Sequence, residues 1–426
     1  MDNHGIARTA RTARTEEQRR LDLEKIRKYR DLEQAIRDKT AGESYDDATL
    51  FPLTSRLLRL NPEHYTAWNV RRRCLTSGLL YRCSAGSWPS KASPSTLPSA
   101  TTSRCADDSS PSSSAAIPPA PTSPTTGRTG TTAEPHAGAP SDVPDAQSDT
   151  GTNVAADAEV LRSELAFTIP LLLEYPKCYW IWKYRRWILE QAILRLPRPV
   201  ASSVWEAELA LASKMLLKDR RNFHAWGYRR YLVARLQSPA LLGRSLVEDE
   251  FAYTTKMIKD HLSNFSAWHN RSRLMLRLLD ERRADDAART AFLDAELALV
   301  QDALNVGPED QSLWYYHRFL MAQVAGAERS STIAPNLTAA QKTAYLQQEI
   351  EFIKDLLQDF PEIKWPYEAL LEYTLALRRL QPGARSKGEN EEQDQDQDPN
   401  FWLANLRKLD AMQTGRWNDV EQDIKR

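Results

Sequence analysis

YPKCYWIWKYRRW, residues 175–187, packs three tryptophans, three tyrosines, two lysines and two arginines into thirteen positions. The pattern recurs as NPEHYTAWNVRRRCL (61–75), DRRNFHAWGYRRYL (219–232), HLSNFSAWHNRSRL (261–274) and GPEDQSLWYYHRFL (307–320). Aligned on one tryptophan, the anchors are Trp68, Trp182, Trp226, Trp268 and Trp314, and the last three gaps are 44, 42 and 46 residues. A period in the low forties predicts an all-α array of two-helix units, because one such unit cannot bury its apolar face alone and must stack on the next.

The first gap, 114 residues, has a compositional cause. Residues 84–155 are dominated by Ser, Thr, Pro and Ala and hold eleven of the chain's 24 prolines. Such a stretch cannot bury enough surface to offset its ordering entropy, so it reads as a disordered insert between the first and second units. Without its 72 residues the gap falls to 42, the ordinary period. The expected organisation is therefore an opening helix and first unit (1–83), the insert (84–155), the remaining units (156–380), an acidic linker containing GENEEQDQDQD (381–398), and a closing helix with a tail (399–426). A degenerate sixth unit, QQEIEFIKDLLQDFPEIKWPYEALLEYTLAL (347–377), keeps a helix, a Pro turn and Trp365 but no arginine pair.

Composition narrows the function classes. Basic and acidic residues balance at 57 each, so no global field favours nucleic acid or an anionic membrane. No apolar run approaches the length that crosses a bilayer, and the polar, arginine-rich N-terminus lacks a signal peptide's apolar core. The four cysteines (Cys74, Cys83, Cys105, Cys178) form no CxxC pair, as expected of reduced thiols in the cytoplasm, and the seven histidines show no metal-ligand spacing.

Within each unit, positions are counted from the tryptophan. Position −3 (Tyr65, Tyr179, Phe223, Phe265), a small or apolar −1 and an apolar +7 are expected to share the tryptophan's buried stripe, the packing seam between hairpins. Arginines at +3 (Arg71, Arg185, Arg229, Arg271) sit one turn from that seam and need partners, since an unpaired buried charge is costly. Glutamates recur eighteen residues before the anchor (Glu164, Glu208, Glu250, Glu296) and are the natural candidates. For Arg229 the partner is expected to be Glu208 or Glu250. A row of arginines collecting phosphates is the competing reading.

The W-x-x-R array with its −3 aromatic resembles the alpha-subunit repeat of protein prenyltransferases, over residues 1–83 and 156–425. HGIARTARTARTEEQRR (4–20) and LRKLDAMQTGRWNDV (406–420) resemble the ends of the type II geranylgeranyltransferase branch, whose substrates are Rab GTPases. The chain departs from the family pattern in its insert, in Gln311 at −3 and in His317 at +3. It lacks the leucine-rich-repeat and immunoglobulin-like extensions of some animal members, which implies a compact form. The resemblance implies a right-handed superhelical crescent of two-helix repeats wrapped around a beta subunit, with zinc and the lipid pocket on that partner and no cofactor on this chain. It also implies geranylgeranyl diphosphate as lipid donor, and a Rab GTPase presented by a Rab escort protein as acceptor.

Residue by residue, Lys177 (−5) and Tyr179 (−3) match the family positions facing the isoprenoid diphosphate across the subunit interface. A point cation there offsets charge that grows on the leaving group. Asn222, Phe223 and His224 match the next unit's interface positions, with Phe223 replacing the more usual tyrosine. Two rivals share the repeats: an alpha subunit of farnesyltransferase or type I geranylgeranyltransferase, and a helical-repeat adaptor with no enzymatic role.

Overall fold

Every tryptophan motif starts a helix three residues before its anchor. The computed structural model of the chain describes residues 15–80, 146–326, 332–381 and 399–425. An opening helix, α1 (Glu16–Thr40), is followed by the pairs α2 (Leu50–Leu60) and α3 (Tyr65–Cys74), α4 (Ala146–Glu174) and α5 (Tyr179–Arg195), and α6 (Arg198–Lys218) and α7 (Phe223–Leu236). Next come α8 (Val247–Asp260) and α9 (Phe265–Glu281), α10 (Asp286–Val306) and α11 (Gln311–Ala325), and α12 (Ala339–Asp359) and α13 (Lys364–Leu380). Two closing helices, α14 (Pro399–Leu409) and α15 (Thr414–Lys425), complete an all-α repeat array with no strand among the described residues.

The anchors fix the turn of each hairpin. Each is almost fully buried, and its indole N–H donates to the carbonyl six residues back: Trp68 to Pro62 (2.8 Å), Trp182 to Pro176 (2.9 Å), Trp226 to Arg220 (2.8 Å), Trp268 to Leu262 (2.6 Å) and Trp314 to Pro308 (2.6 Å). One side chain thus fills the seam and satisfies a carbonyl that no helix bond reaches. The sixth unit corrects the expected anchor. Tyr367, not Trp365, donates to the carbonyl six back, Pro361 (3.0 Å), and α12 ends and α13 begins at the same offsets from Tyr367 as in every other unit. Trp365 is only half-buried, against Tyr315.

The +3 arginines form the predicted ladder, and its direction is uniform. Each donates, through Nε and Nη2 on one edge of the guanidinium, to both oxygens of the −18 glutamate of the following unit: Arg71 to Glu164 (Nε–Oε2 2.6 Å), Arg185 to Glu208 (3.0 Å), Arg229 to Glu250 (2.9 Å) and Arg271 to Glu296 (2.7 Å). Three of these glutamates also accept a tyrosine hydroxyl from position +2 of their own unit, Tyr184 to Glu164 (2.6 Å), Tyr228 to Glu208 (2.7 Å) and Tyr316 to Glu296 (2.5 Å). Hydroxyls on the arginine's own first helix take further donors: Thr54 and Ser55, Thr168, Ser213, Thr254 and Thr255. Charge and hydrogen bonds are satisfied together, the condition under which a buried pair is tolerated. His317, which replaces the fifth arginine, keeps the register: its Nε2 lies 2.8 Å from Glu349 and its Nδ1 2.7 Å from the Tyr373 hydroxyl.

Three expectations change. The −3 aromatics are not in the seam: Tyr65, Tyr179, Phe223 and Phe265 are 49–69% exposed. Each opens its helix five residues after the preceding helix has ended, so it lies beyond the seam and meets neighbouring rings along the edge. Residues 146–155, counted with the insert, lie in α4; the rest of that span, 84–145, lies outside the described residues, as do the linker 382–398 and residues 4–14 of the N-terminal motif. The expected tail contains α15, whose Trp417 is buried and donates to the Asp410 carbonyl at 3.1 Å.

Candidate functional site

The turns between paired helices stack along one edge of the array, each tied to the next. The Cys178 thiol meets the Pro62 carbonyl at 3.5 Å, Asn222 Nδ2 donates to the Pro176 carbonyl at 3.1 Å, and Arg221 donates to the Ser263 carbonyl at 2.7 Å. Position −5 lies in each of these turns and reads Glu63, Lys177, Arg221, Ser263 and Glu309 along the edge. Two cations therefore sit at its centre with an acid at either end. Lys177 and Arg221 are both exposed.

The helix beside Lys177 differs from its neighbours. Side chains cap the starts of α3, α7, α9 and α11, with His64, Asn222, Asn264 and Asp310 accepting a first-turn N–H. Helix α5 begins at Cys178, whose side chain makes no cap bond. No side-chain oxygen or nitrogen takes its first N–H groups, and the positive end of its dipole opens at the turn that holds the exposed Lys177, an arrangement suited to an anion. Burial pushes the Cys178 thiol up to about 11, so it is no nucleophile.

All five site residues expected from the sequence come together here. Tyr179 is half exposed, with its ring centroid 5.3 Å from Trp180 and 6.4 Å from His224, and His224 packs against Phe223 at 4.0 Å. Asn222 belongs to the set differently: it is buried, with one end of its amide capping α7 and the other binding the Pro176 carbonyl, so it ties the two turns together. Burial lowers the His224 pKa, while the Glu63 carboxylate and the Lys177 backbone pull it back up. The Lys183 ammonium lies 5.6 Å from the Tyr179 and Trp180 ring centroids and so shares this neighbourhood. The anchor tryptophans and the +3 arginines are buried in the seam and the ladder, away from this edge.

Glu63, Arg221 and Trp180 were missed. The −5 column was legible once the anchors were aligned, but charge at a turn carries no signal until stacking shows which turns are neighbours. Among the described residues, no group of three His, Cys, Asp or Glu side chains could hold a metal ion, and no helix is long and apolar enough to cross a membrane.

Comparison with known proteins agrees with this geometry. The model of the protein prenyltransferase alpha subunit repeat matches residues 48–78, 161–192, 205–236, 247–278 and 293–324, five of the six hairpins. Among curated proteins, the chain is similar to geranylgeranyl transferase type-2 subunit alpha of Schizosaccharomyces pombe (27% identical over 149 residues, 35% of this chain and 41% of that one). It is also similar to the proteins of that name from Candida albicans (28% over 194 residues, 45% and 33%) and Saccharomyces cerevisiae (36% over 158 residues, 37% and 46%). The matched stretches span less than half the length of each relative.

Proposed function

As a member of the protein prenyltransferase alpha subunit family, this chain is, we propose, the alpha subunit of a heterodimeric type-2 geranylgeranyl transferase acting in the cytoplasm. In this reading a beta subunit brings the lipid pocket and the zinc. The pair transfers geranylgeranyl from its diphosphate to C-terminal cysteines of Rab GTPases presented by an escort protein. The printed names of the similar proteins favour the type-2 branch over the farnesyltransferase branch.

The observation that carries the reading is the uncapped start of α5 beside Lys177, at the centre of the −5 row. In the reaction a thiolate sulfur attacks C1 of the lipid, the C1–O bond breaks, and both electrons leave with the diphosphate. Negative charge grows on the departing oxygen as that bond lengthens. The Lys177 ammonium and the α5 N–H groups would meet that charge, and the Tyr179 hydroxyl would donate to a phosphate oxygen. Such contacts strengthen toward the transition state and so raise the rate rather than only the affinity.

The test is co-expression with the beta subunits of type-2 geranylgeranyl transferase and of farnesyltransferase from the same organism. The reading expects a one-to-one complex with the type-2 beta subunit. Preferential pairing with the farnesyltransferase beta subunit, or with neither, would overturn it.

A further inference from the structure

The face that the second helices leave exposed is more polarised than the neutral chain suggests. From position −3 to +5, helices α3, α5, α7, α9 and α11 contain eleven Lys and Arg residues and not one Asp or Glu. The four +3 arginines point inward and are neutralised by the glutamate ladder. Outward-facing arginines are also accommodated nearly everywhere. Arg72 lies over the Tyr184 and Trp187 rings, Arg186 over Tyr231 at 3.9 Å, and Arg318 binds Glu368 and Glu372, each at 2.8 Å.

Arg230 on α7 and Arg273 on α9 are different. Among the described residues neither is in an ion pair or over an aromatic ring; Arg273 stands one turn after His269 on α9, and both arginine charges reach His269. Burial, and then the Arg273 charge, hold Arg230 below its usual range; burial followed by both arginines does the same to His269. Like charges are seldom gathered without a counter-charge unless one arrives with a ligand.

Beside them a groove of about 280 Å³ runs between α9 and α11, lined by Phe265, His269, Ser272, Tyr315 and Phe319. Phe265 and Tyr315 stand edge to face across it, 6.0 Å between centroids, and both are more than 40% exposed. The groove is smaller than the roughly 300–1,000 Å³ of small-molecule sites. It suits a single large apolar side chain on a protein surface. Exposed aromatics beside arginines are also the residue types enriched at protein interfaces.

We propose that this groove docks one apolar side chain that the partner subunit carries next to a carboxylate, the carboxylate meeting Arg230, Arg273 and His269. The proposal rests on the heterodimer reading and adds a chemical identity to one part of its interface.

The test measures association of the full chain with its type-2 beta subunit over a range of salt. The variants are Arg230→Glu with Arg273→Glu, Tyr315→Ala, and Lys259→Glu, the last a charge reversal on the first helix α8 as control. The double reversal is expected to weaken association by about tenfold or more and to flatten its salt dependence. Tyr315→Ala is expected to weaken it with little change in salt dependence, and Lys259→Glu to leave it unchanged. Circular dichroism melts confirm that each variant is folded. Unchanged association in the folded double variant would overturn the proposal while leaving the heterodimer intact. So would binding of a 30-nucleotide single-stranded RNA that disappears in that variant without loss of subunit association. No complex with the wild-type chain would overturn the heterodimer reading itself, and this proposal with it.

Discussion

Arg229→Ala strands a carboxylate, and the structure sets how much that costs. Arg229 and Glu250 expose only 5% and 3% of their side chains, and the guanidinium stacks 3.4 Å from the Tyr253 ring centroid. Unlike the other ladder glutamates, Glu250 has no tyrosine at +2 of its own unit; Asn270 stands there. Burial already pushes the Glu250 pKa up against the pull of Arg229. With the arginine gone, the carboxyl has no other charge to meet and escapes by taking a proton. Protonating a carboxyl of ordinary pKa costs about 3.7 kcal/mol at pH 7 and about 1.6 kcal/mol at pH 5.5. A raised folded pKa means that the native state holds the proton longer than the unfolded state does. Stability is therefore greatest on the acid side and is lost as pH rises through the folded pKa. Removing Arg229 moves that window upward. Loss of the stacked guanidinium adds about 1 kcal/mol at either pH. Arg229→Ala is thus expected to cost about 4–5 kcal/mol at pH 7 and about 2 kcal/mol less at pH 5.5, read by urea melts of the full chain at 222 nm. Adding Glu250→Gln should recover about 2–3 kcal/mol of the sum of the single losses at pH 7. Additivity within about 0.5 kcal/mol, or the same loss at both pH values, would refute the stranded-charge argument.

Three further outcomes follow from the site. Lys177→Ala is expected to leave folding and heterodimer formation intact but slow single-turnover lipid transfer about ten- to a thousandfold, with Lys259→Ala as the control because Lys183 stands beside Tyr179. An unchanged transfer rate would remove Lys177 from the reaction. The His224 ring should titrate below the ordinary imidazole value by NMR, and Glu63→Gln should lower it further; no response to Glu63→Gln would place the carboxylate elsewhere. Deleting 84–145, which spares α4, should leave the melting midpoint and partner binding unchanged, because that Ser/Thr/Pro-rich stretch cannot bury a core. A large loss of either would make it part of the array.

Period, anchors and the Arg–Glu ladder are legible in the sequence, because each repeats at a fixed offset and a buried charge demands a partner. The choice between Glu208 and Glu250 for Arg229 is not, since both stand at the same offset and only the stacking order selects the following unit. Tyr367 escaped notice because Trp365, two residues away, is the stronger hydrophobic signal; the carbonyl six residues back decides between them, and that contact is three-dimensional. The −3 aromatics were misplaced for a related reason. Helical periodicity assigns a face but does not say where the neighbouring helix stops, and here it stops short. At the candidate site, Lys177, Tyr179 and His224 were found through family resemblance, whereas the uncapped start of α5 and the cationic centre of the −5 row emerged only from the stacked turns.

The most direct measurement is geranylgeranyl transfer to an escort-bound Rab GTPase by this chain alone, by the type-2 beta subunit alone, and by the two mixed. The heterodimer reading predicts no transfer by either chain separately and transfer that rises to saturation at a one-to-one ratio. Full transfer by the beta subunit alone, or no gain on adding this chain to it, would contradict it.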